Sequence, residues 1–503
     1  MTGRPTDLDL HALGGLVARA IVALVSRTIV MQLVVLVGSV ALTRLLTPRE
    51  FGIFAIVQSV LAMVGFVGDT GVGGALVRQP TAPTERQLSS VFYLQVAASL
   101  LLMTAVLGAA GTIPRIWSDL PHDAVLLMRI LAVDFVLTSL RVPPMLLLER
   151  QLRFRTLSVI DIAGGLTFYS VAVVLAFGGA GVWALALAVL ARTSLVTAAA
   201  FGVSGWRPGL MCAWTDLRPL LRFGVAQQSR NIISVVNDAV TPFWGGRVLG
   251  VTAVGYLNWA RQTAYFPLKM VDTMRTVGFP LFARLQHDRA LLGESVGRAI
   301  HLCAFVTCGC VGLFAGLGEP LTRHVFSEQW LPAVPLLAVF AGAISIGFLS
   351  PLVASALDAI GRPDVFLRVA GVWTAITWIA VPIGTTYGGT LGFALGYASH
   401  VVIGNVVIAE VLRRMLPEAR FWRRVRTPLV AASVTAALGR LVLTPLSSSP
   451  PWFAMAVGAA LVLYAGIVWV FDRNALLRAM SIVPYEPFAV DATPDAALAR
   501  AVS

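Results

Sequence analysis

The sequence predicts an all-α integral membrane protein of about 14 transmembrane helices, and three observations carry that prediction. Of 503 residues, 57% are hydrophobic and only 13% charged, and the mean hydropathy is +0.82. A soluble chain of this length needs more polar surface to cover its core. Apolar runs long enough to span a bilayer, about 20 residues each, recur along nearly the whole length. The basic residues, finally, gather beside alternate runs. The formal charge of +13 therefore reads as membrane orientation, not nucleic-acid binding.

In chain order the spans fall at 17–43, 51–77, 88–110, 123–147, 157–178, 181–203 and 220–244, then at 251–279, 299–318, 333–357, 365–386, 389–412, 428–446 and 452–471. The first begins near Leu16, lacks a small-residue cleavage site and runs past Val40, so it is expected to be a retained helix. Phe177-Gly178-Gly179-Ala180-Gly181 and Tyr387-Gly388-Gly389 are short turns that make antiparallel neighbours. Only Arg44, Arg49, Arg115, Arg247 and Arg323 fall in the outer loops, whereas Arg413 to Arg426 alone holds six arginines. The positive-inside rule thus places both termini in the cytoplasm. Trp117, Trp183, Trp330 and Trp452 near outer ends, with Trp206 and Trp422 near inner ones, read as an aromatic belt. Glu319 and Glu328 occupy an outer loop and are expected to be solvated. Cys212, Cys303, Cys308 and Cys310 form no disulfide framework, and the last three read as ordinary helix packing. No metal or cofactor is called for.

The chain also repeats itself. A shift of 203 residues, with no gap, lays Arg27 on Arg230, Arg44 on Arg247, Gly52 on Gly255 and Asp69 on Asp272. A shift of 209 lays Glu149 on Asp358 and Arg153 on Arg362. Two parallel six-helix repeats follow, related by an axis along the membrane normal, with two C-terminal helices added. The organisation expected is a cytoplasmic segment 1–16, a first bundle 17–203, a linker 204–219, a second bundle 220–412, a basic loop 413–427, helices 13 and 14 over 428–471, and a cytoplasmic tail 472–503.

Charges inside the membrane are costly and by default face a partner or a cavity. Arg27 and Asp69 are equidistant in sequence from the turn at Pro48, so they share one depth on neighbouring helices, and Arg230 and Asp272 are likewise equidistant from Val251. Each pair reads either as a structural ion pair or as an inner gate whose arginines also meet an anion. Lys269, Asp272 and Arg275 share one helical face and are expected to form a network. Arg129, Asp134 and Arg141 in helix 4 form a second group that helix packing explains equally well. Arg261 aligns with Gln58 and has no acid three or four residues away. Read as unpaired, it suits a diphosphate, which a guanidinium grips in two-pronged fashion. Arg192, near the middle of helix 6, is a second candidate.

At Arg44-Leu45-Leu46-Thr47-Pro48-Arg49-Glu50-Phe51-Gly52-Ile53-Phe54-Ala55 the chain resembles the polysaccharide transporter family of the multidrug/oligosaccharidyl-lipid/polysaccharide (MOP) flippase superfamily. Asp69-Thr70-Gly71-Val72-Gly73-Gly74-Ala75-Leu76-Val77-Arg78-Gln79, Glu149-Arg150-Gln151-Leu152-Arg153-Phe154-Arg155 and Leu221-Arg222-Phe223-Gly224 extend the likeness over most of residues 20–290. The resemblance implies a monomer in the bacterial inner membrane that moves polyprenyl-diphosphate-linked oligosaccharide to the outer leaflet, coupled to protons or sodium. It further implies a cationic central cavity lined by helices 1, 2, 7 and 8, to which Arg27, Arg230 and Arg261 are the matching positions. Gln58 is where a further cation was expected.

Rival functions are weighed on the same residues. A lipid II flippase shares the architecture. A drug–cation antiporter should have an acidic cavity, whereas basic residues outnumber acidic ones in spans 1, 2, 7 and 8. A membrane polymerase, ligase or glycosyltransferase should show a large outer loop or an acidic catalytic pair, and the sequence has neither.

Overall fold

The computed structural model describes residues 30–480, apart from 69, 70, 80, 212, 270, 272–281, 283, 284, 286, 287, 360 and 361. Among the described residues there is no strand, and nine helical stretches are long and apolar enough to cross a bilayer. The protein is an all-helical, multi-pass membrane protein.

Helices α1 (Val30–Leu45) and α2 (Pro48–Gly68) meet at a turn built by Thr47-Pro48-Arg49-Glu50. The Thr47 amide and hydroxyl donate to Glu50 Oε2 at 2.6 and 2.9 Å, and the Glu50 amide donates to Thr47 Oγ1 at 3.3 Å. This is a capping box, with Pro48 in the first turn, where its missing N–H goes unmissed. Helix α3 (Glu85–Ala109) opens on a second such box, Thr84 with Gln87. Helix α4 is broken into Asp123–Leu131, Val133–Leu140 and Val142–Arg150, the last with Pro143 and Pro144 in its first turn.

Between α5 (Phe154–Phe177) and α6 (Val182–Ser204), Gly179 and Gly181 take φ of 80° and 56°. Side chains there would be strained. Helix α7 (Trp214–Val240) ends in a π-helical turn at Thr241–Gly245, and α8 is Val251–Ala264. Helix α9 (Arg289–Leu321) is capped by Asp288, whose Oδ1 accepts from the Ala290 and Leu291 amides at 3.0 Å. Helix α10 comprises Val334–Gly347 and Leu349–Ala359. The helical run Pro363–Met415 doubles back at Gly389, φ 55°, giving α11 before it and α12 after it. The limbs touch backbone to backbone at Gly384 and Gly392. Helices α13 (Phe421–Leu438) and α14 (Pro450–Met480) complete the described chain. Gly312 and Gly316 of α9 lie against the backbone of Ala432 and Ala436, a small-residue contact that lets α13 pack closely. Cys303 and Cys308 are buried in α9, and neither they nor Cys310 is in a disulfide.

The crossing of α2 and α8 brings together the two halves expected from the sequence repeat. A Cβ on Gly52 would fall on the Val251 carbonyl oxygen, and one on Gly255 on the Pro48 carbonyl oxygen. Gly52 and Gly255 are equivalent in the sequence repeat, and so are Pro48 and Val251. The contact is therefore reciprocal, as when a surface meets its own copy across a two-fold axis.

Two tryptophans expected in the aromatic belt belong to this junction instead. Trp117 is buried and donates Nε1–H to the Pro242 carbonyl at 2.8 Å, and buried Trp330 donates to the Thr43 carbonyl at 2.8 Å. Each links one half to the end of the other half's first helix. Gln329 Nε2 adds bonds to the Thr43 and Leu46 carbonyls at 2.9 and 3.0 Å, and Arg44 reaches the carbonyls of His324 and Val325. Arg49 pairs with Asp119 at 3.2 Å, and Asp119 Oδ2 also accepts from the Val251 amide at 2.9 Å. Trp206 is buried too, donating to Glu85 Oε2 at 3.0 Å. Trp422 and Trp452, about half exposed, fit the belt. Glu319 and Glu328 are exposed as expected, and both lie within ion-pair range of Arg323.

Candidate functional site

Past the Gly52–Gly255 crossing, α2, α7 and α8 enclose a cavity of about 450 Å³. Its polar lining is Gln58 and Ser59 from α2, Asp238 from α7, Thr241 from the π-helical turn, and Asn258, Arg261 and Gln262 from α8. The repeat thus brings Gln58 and its equivalent, Arg261, to one space at the interface of the halves. The remaining walls are mostly apolar, including Phe54, Met63, Val235 and Val254.

Arg261 is not unpaired. Its Nη1 donates to Asp238 Oδ1 at 3.4 Å and to the Tyr397 hydroxyl, from α12, at 3.1 Å. The guanidinium carbon lies 5.6 Å from the centroid of the Tyr397 ring. The acid was missed because it is on the preceding helix, not one turn away. Asp238 lies 13 residues before Val251 and Arg261 lies 10 beyond it, so the depth argument applied to Arg230 and Asp272 brings the two within about one helical turn of each other. The described lining holds one arginine and one carboxylate.

This geometry leaves the arginine available. A guanidinium has five N–H donors, and both contacts above use Nη1 alone. At 3.4 Å the ion pair is longer than the 2.7–2.9 Å of a strong charge-assisted bond. The Asp238 side chain is 65% exposed and that of Arg261 is 22% exposed. An anion entering the cavity therefore competes with a loosely held, solvated carboxylate for an arginine steadied from behind by Tyr397.

The other predicted residues lie elsewhere. Arg192 in α6 is outside this cavity: its side chain runs past Gly164 of α5, and it is close enough to Asp134, Arg141 and Tyr169 to act on them electrostatically. Asp134 also lies beside Thr138 and Thr193, which makes this a separate charged cluster within the first half. Lys269 is exposed, beyond α8. Arg230 lies in α7, and nothing of its side chain is described. Arg27, Asp69, Asp272 and Arg275 fall outside the described residues.

The model of a family described as "Polysaccharide biosynthesis protein" matches residues 41–335. Among curated proteins, the teichuronic acid biosynthesis protein TuaB of Bacillus subtilis (strain 168) is 25% identical over 397 residues, 77% of this chain and 80% of TuaB. The succinoglycan biosynthesis transport protein ExoT of Rhizobium meliloti (strain 1021) is 24% identical over 466 residues, 88% of this chain and 90% of ExoT. Among solved structures, the lipid II flippase MurJ in an inward closed conformation matches with a TM-score of 0.73 at 15% identity. That match covers 90% of this chain and 99% of MurJ, and at such identity it is a likeness of fold.

Proposed function

Since the chain belongs to the polysaccharide biosynthesis protein family, we propose that it is a flippase for polyprenyl-diphosphate-linked oligosaccharide repeat units in the bacterial inner membrane. The observation that carries this reading is the Gln58–Arg261 cavity at the interface between repeats. A diphosphate is matched by a half-buried, tyrosine-backed arginine with spare donors. Sugars are matched by the amides and hydroxyl of Gln58, Asn258, Gln262 and Ser59. The polyprenyl tail stays in the bilayer, where leaving would cost its whole hydrophobic transfer energy. Rocking of 17–203 against 220–412 about the Gly52–Gly255 contact would expose the cavity to each side in turn, driven by a proton or sodium gradient. We read the chain as a transporter and not an enzyme, because the only acid among the described lining residues already faces an arginine. The biosynthetic roles in the names of TuaB and ExoT favour surface polysaccharide over lipid II as the pathway served.

A strain lacking the protein should accumulate lipid-linked repeat units that an impermeant glycosidase cannot reach in spheroplasts. Undiminished surface polysaccharide in that strain would sink the proposal. The arginine distribution further predicts both termini in the cytoplasm and Gly179 on the outer side. Reporter fusions at the C-terminus and at Gly179 check this, and a periplasmic signal from the C-terminus would break the 14-helix arrangement.

A further inference from the structure

A larger cavity, about 740 Å³, lies between the start of α13 and the end of α14. It shares no residue with the cavity at Arg261. Arg420, Arg423 and Arg424 line it from one side and Arg473 from the other, against a single carboxylate, Asp472. Among the described residues no carboxylate is paired with Arg420, Arg423 or Arg473.

Backbone features bring these groups together. Arg420, preceding α13, takes the left-handed conformation (φ 46°, ψ 46°), which few residues other than glycine adopt. Asp472 departs from helical geometry (φ −143°, ψ 25°), breaking α14 just before Arg473. His301 of α9 ties both sides together. Its Nδ1 lies 2.8 Å from the Arg424 carbonyl oxygen and 3.8 Å from Asp472 Oδ2. Arg473 in turn stacks on Trp469, 5.0 Å from the ring centroid.

Arginines that only set orientation need to lie on the correct side of the membrane, and mutual repulsion spreads them into solvent. Here four guanidinium groups from segments distant in sequence line one concavity. Such an arrangement concentrates positive potential and raises the local concentration of anions. A second, smaller cavity of about 240 Å³ adjoins it, sharing Arg420 and Arg423, and is walled by Leu412, Leu416, Phe421 and half-exposed Trp422. Exposed Trp422, Trp469 and Phe471 are the aromatic side chains expected at headgroup depth. A charged hollow joined to an apolar one at that depth fits an amphiphile with an anionic head.

We infer that this hollow binds the phosphate headgroup of an anionic phospholipid of the surrounding bilayer, with the acyl chains running along the adjoining apolar wall. The inference is independent of what the Arg261 cavity carries. The full-length protein, purified in detergent, is mixed with phosphatidylglycerol or phosphatidylcholine of the same acyl chains, and bound lipid is counted by native mass spectrometry. The wild type should retain phosphatidylglycerol over phosphatidylcholine by fivefold or more. Arg420→Ala/Arg423→Ala/Arg473→Ala should lose that preference. The triple lysine variant should keep part of it, since charge survives while two-pronged geometry is lost. Arg440→Ala, near the other end of α13, should behave as wild type. An undiminished preference in the triple alanine variant, at a wild-type elution volume, overturns the assignment. So does displacement of phosphatidylglycerol by equimolar undecaprenyl diphosphate, which would give the hollow to the transported lipid.

Discussion

Arg261→Ala should lower export of lipid-linked repeat units about a hundredfold while leaving the protein folded and at near-normal abundance. A hydrogen bond to a charged group is worth roughly 1.5–3 kcal/mol, and a two-pronged grip on a diphosphate contains two. Each ~1.4 kcal/mol is tenfold in affinity. Removing one member of a buried ion pair is strongly destabilising when the other is stranded. Asp238 would not be stranded, because its side chain is 65% exposed and hydrates in the cavity. Arg261→Lys should restore only part of the export, since lysine supplies charge without the planar fork.

Asp238→Asn separates the two roles further. If Asp238 merely supports Arg261, its loss should cost both abundance and export. If Asp238 competes with the substrate anion for the guanidinium, export should persist within a few fold and bound lipid-linked substrate should rise. Protein level and surface polysaccharide are measured in the same strains. Normal polysaccharide from the alanine variant at normal abundance would remove Arg261 from the substrate path.

What was legible in the sequence follows from which physical signals are local. The turn at Thr47-Pro48-Arg49-Glu50 is readable because a capping box and an N-terminal proline are set by neighbours in the chain. The turns at Gly179 and Gly389 are readable for the same reason: few residues but glycine tolerate their φ values. The equivalence of Gly52 and Gly255 was visible as a repeat, but their contact was not, since the repeat says nothing of which faces meet. Trp117 and Trp330 illustrate the limit. A belt tryptophan and a junction tryptophan both sit near helix ends with a polar tip seeking a partner, and only the helix's rotation distinguishes them. Rotation also sent Arg192 into the Asp134 cluster and away from the cavity. Asp238 has no charged equivalent in the first repeat, where Val35 stands, so the repeat does not mark it.

Gly52→Val should be the most disruptive single substitution on the described surface between the halves, with Gly255→Val its equal. At each position a Cβ would land on a backbone carbonyl of the opposing helix, and backbone, unlike a side-chain tip, cannot rotate away. Overpacking a core ordinarily costs about 1–3 kcal/mol, and a clash with no flexible atom to yield belongs at or beyond the upper end. The helices must separate, and in doing so they loosen the Trp117–Pro242 and Trp330–Thr43 bonds beside them. Gly52→Ala is the more informative test, because a single methyl demands a smaller separation. If the crossing closes the outer side of the transport path, the methyl penalises the closed state more than any state in which the halves have parted. The population then shifts by the difference in those two energies. A cysteine at position 58, in a background stripped of native cysteines, reports the shift through its reaction with an impermeant thiol reagent added outside. Labelling should rise severalfold in Gly52→Ala, and Gly255→Ala should match it because the contact is reciprocal. Unchanged labelling in both variants, at normal abundance, would mean that the α2–α8 crossing stays closed throughout the cycle and that the halves move about some other contact.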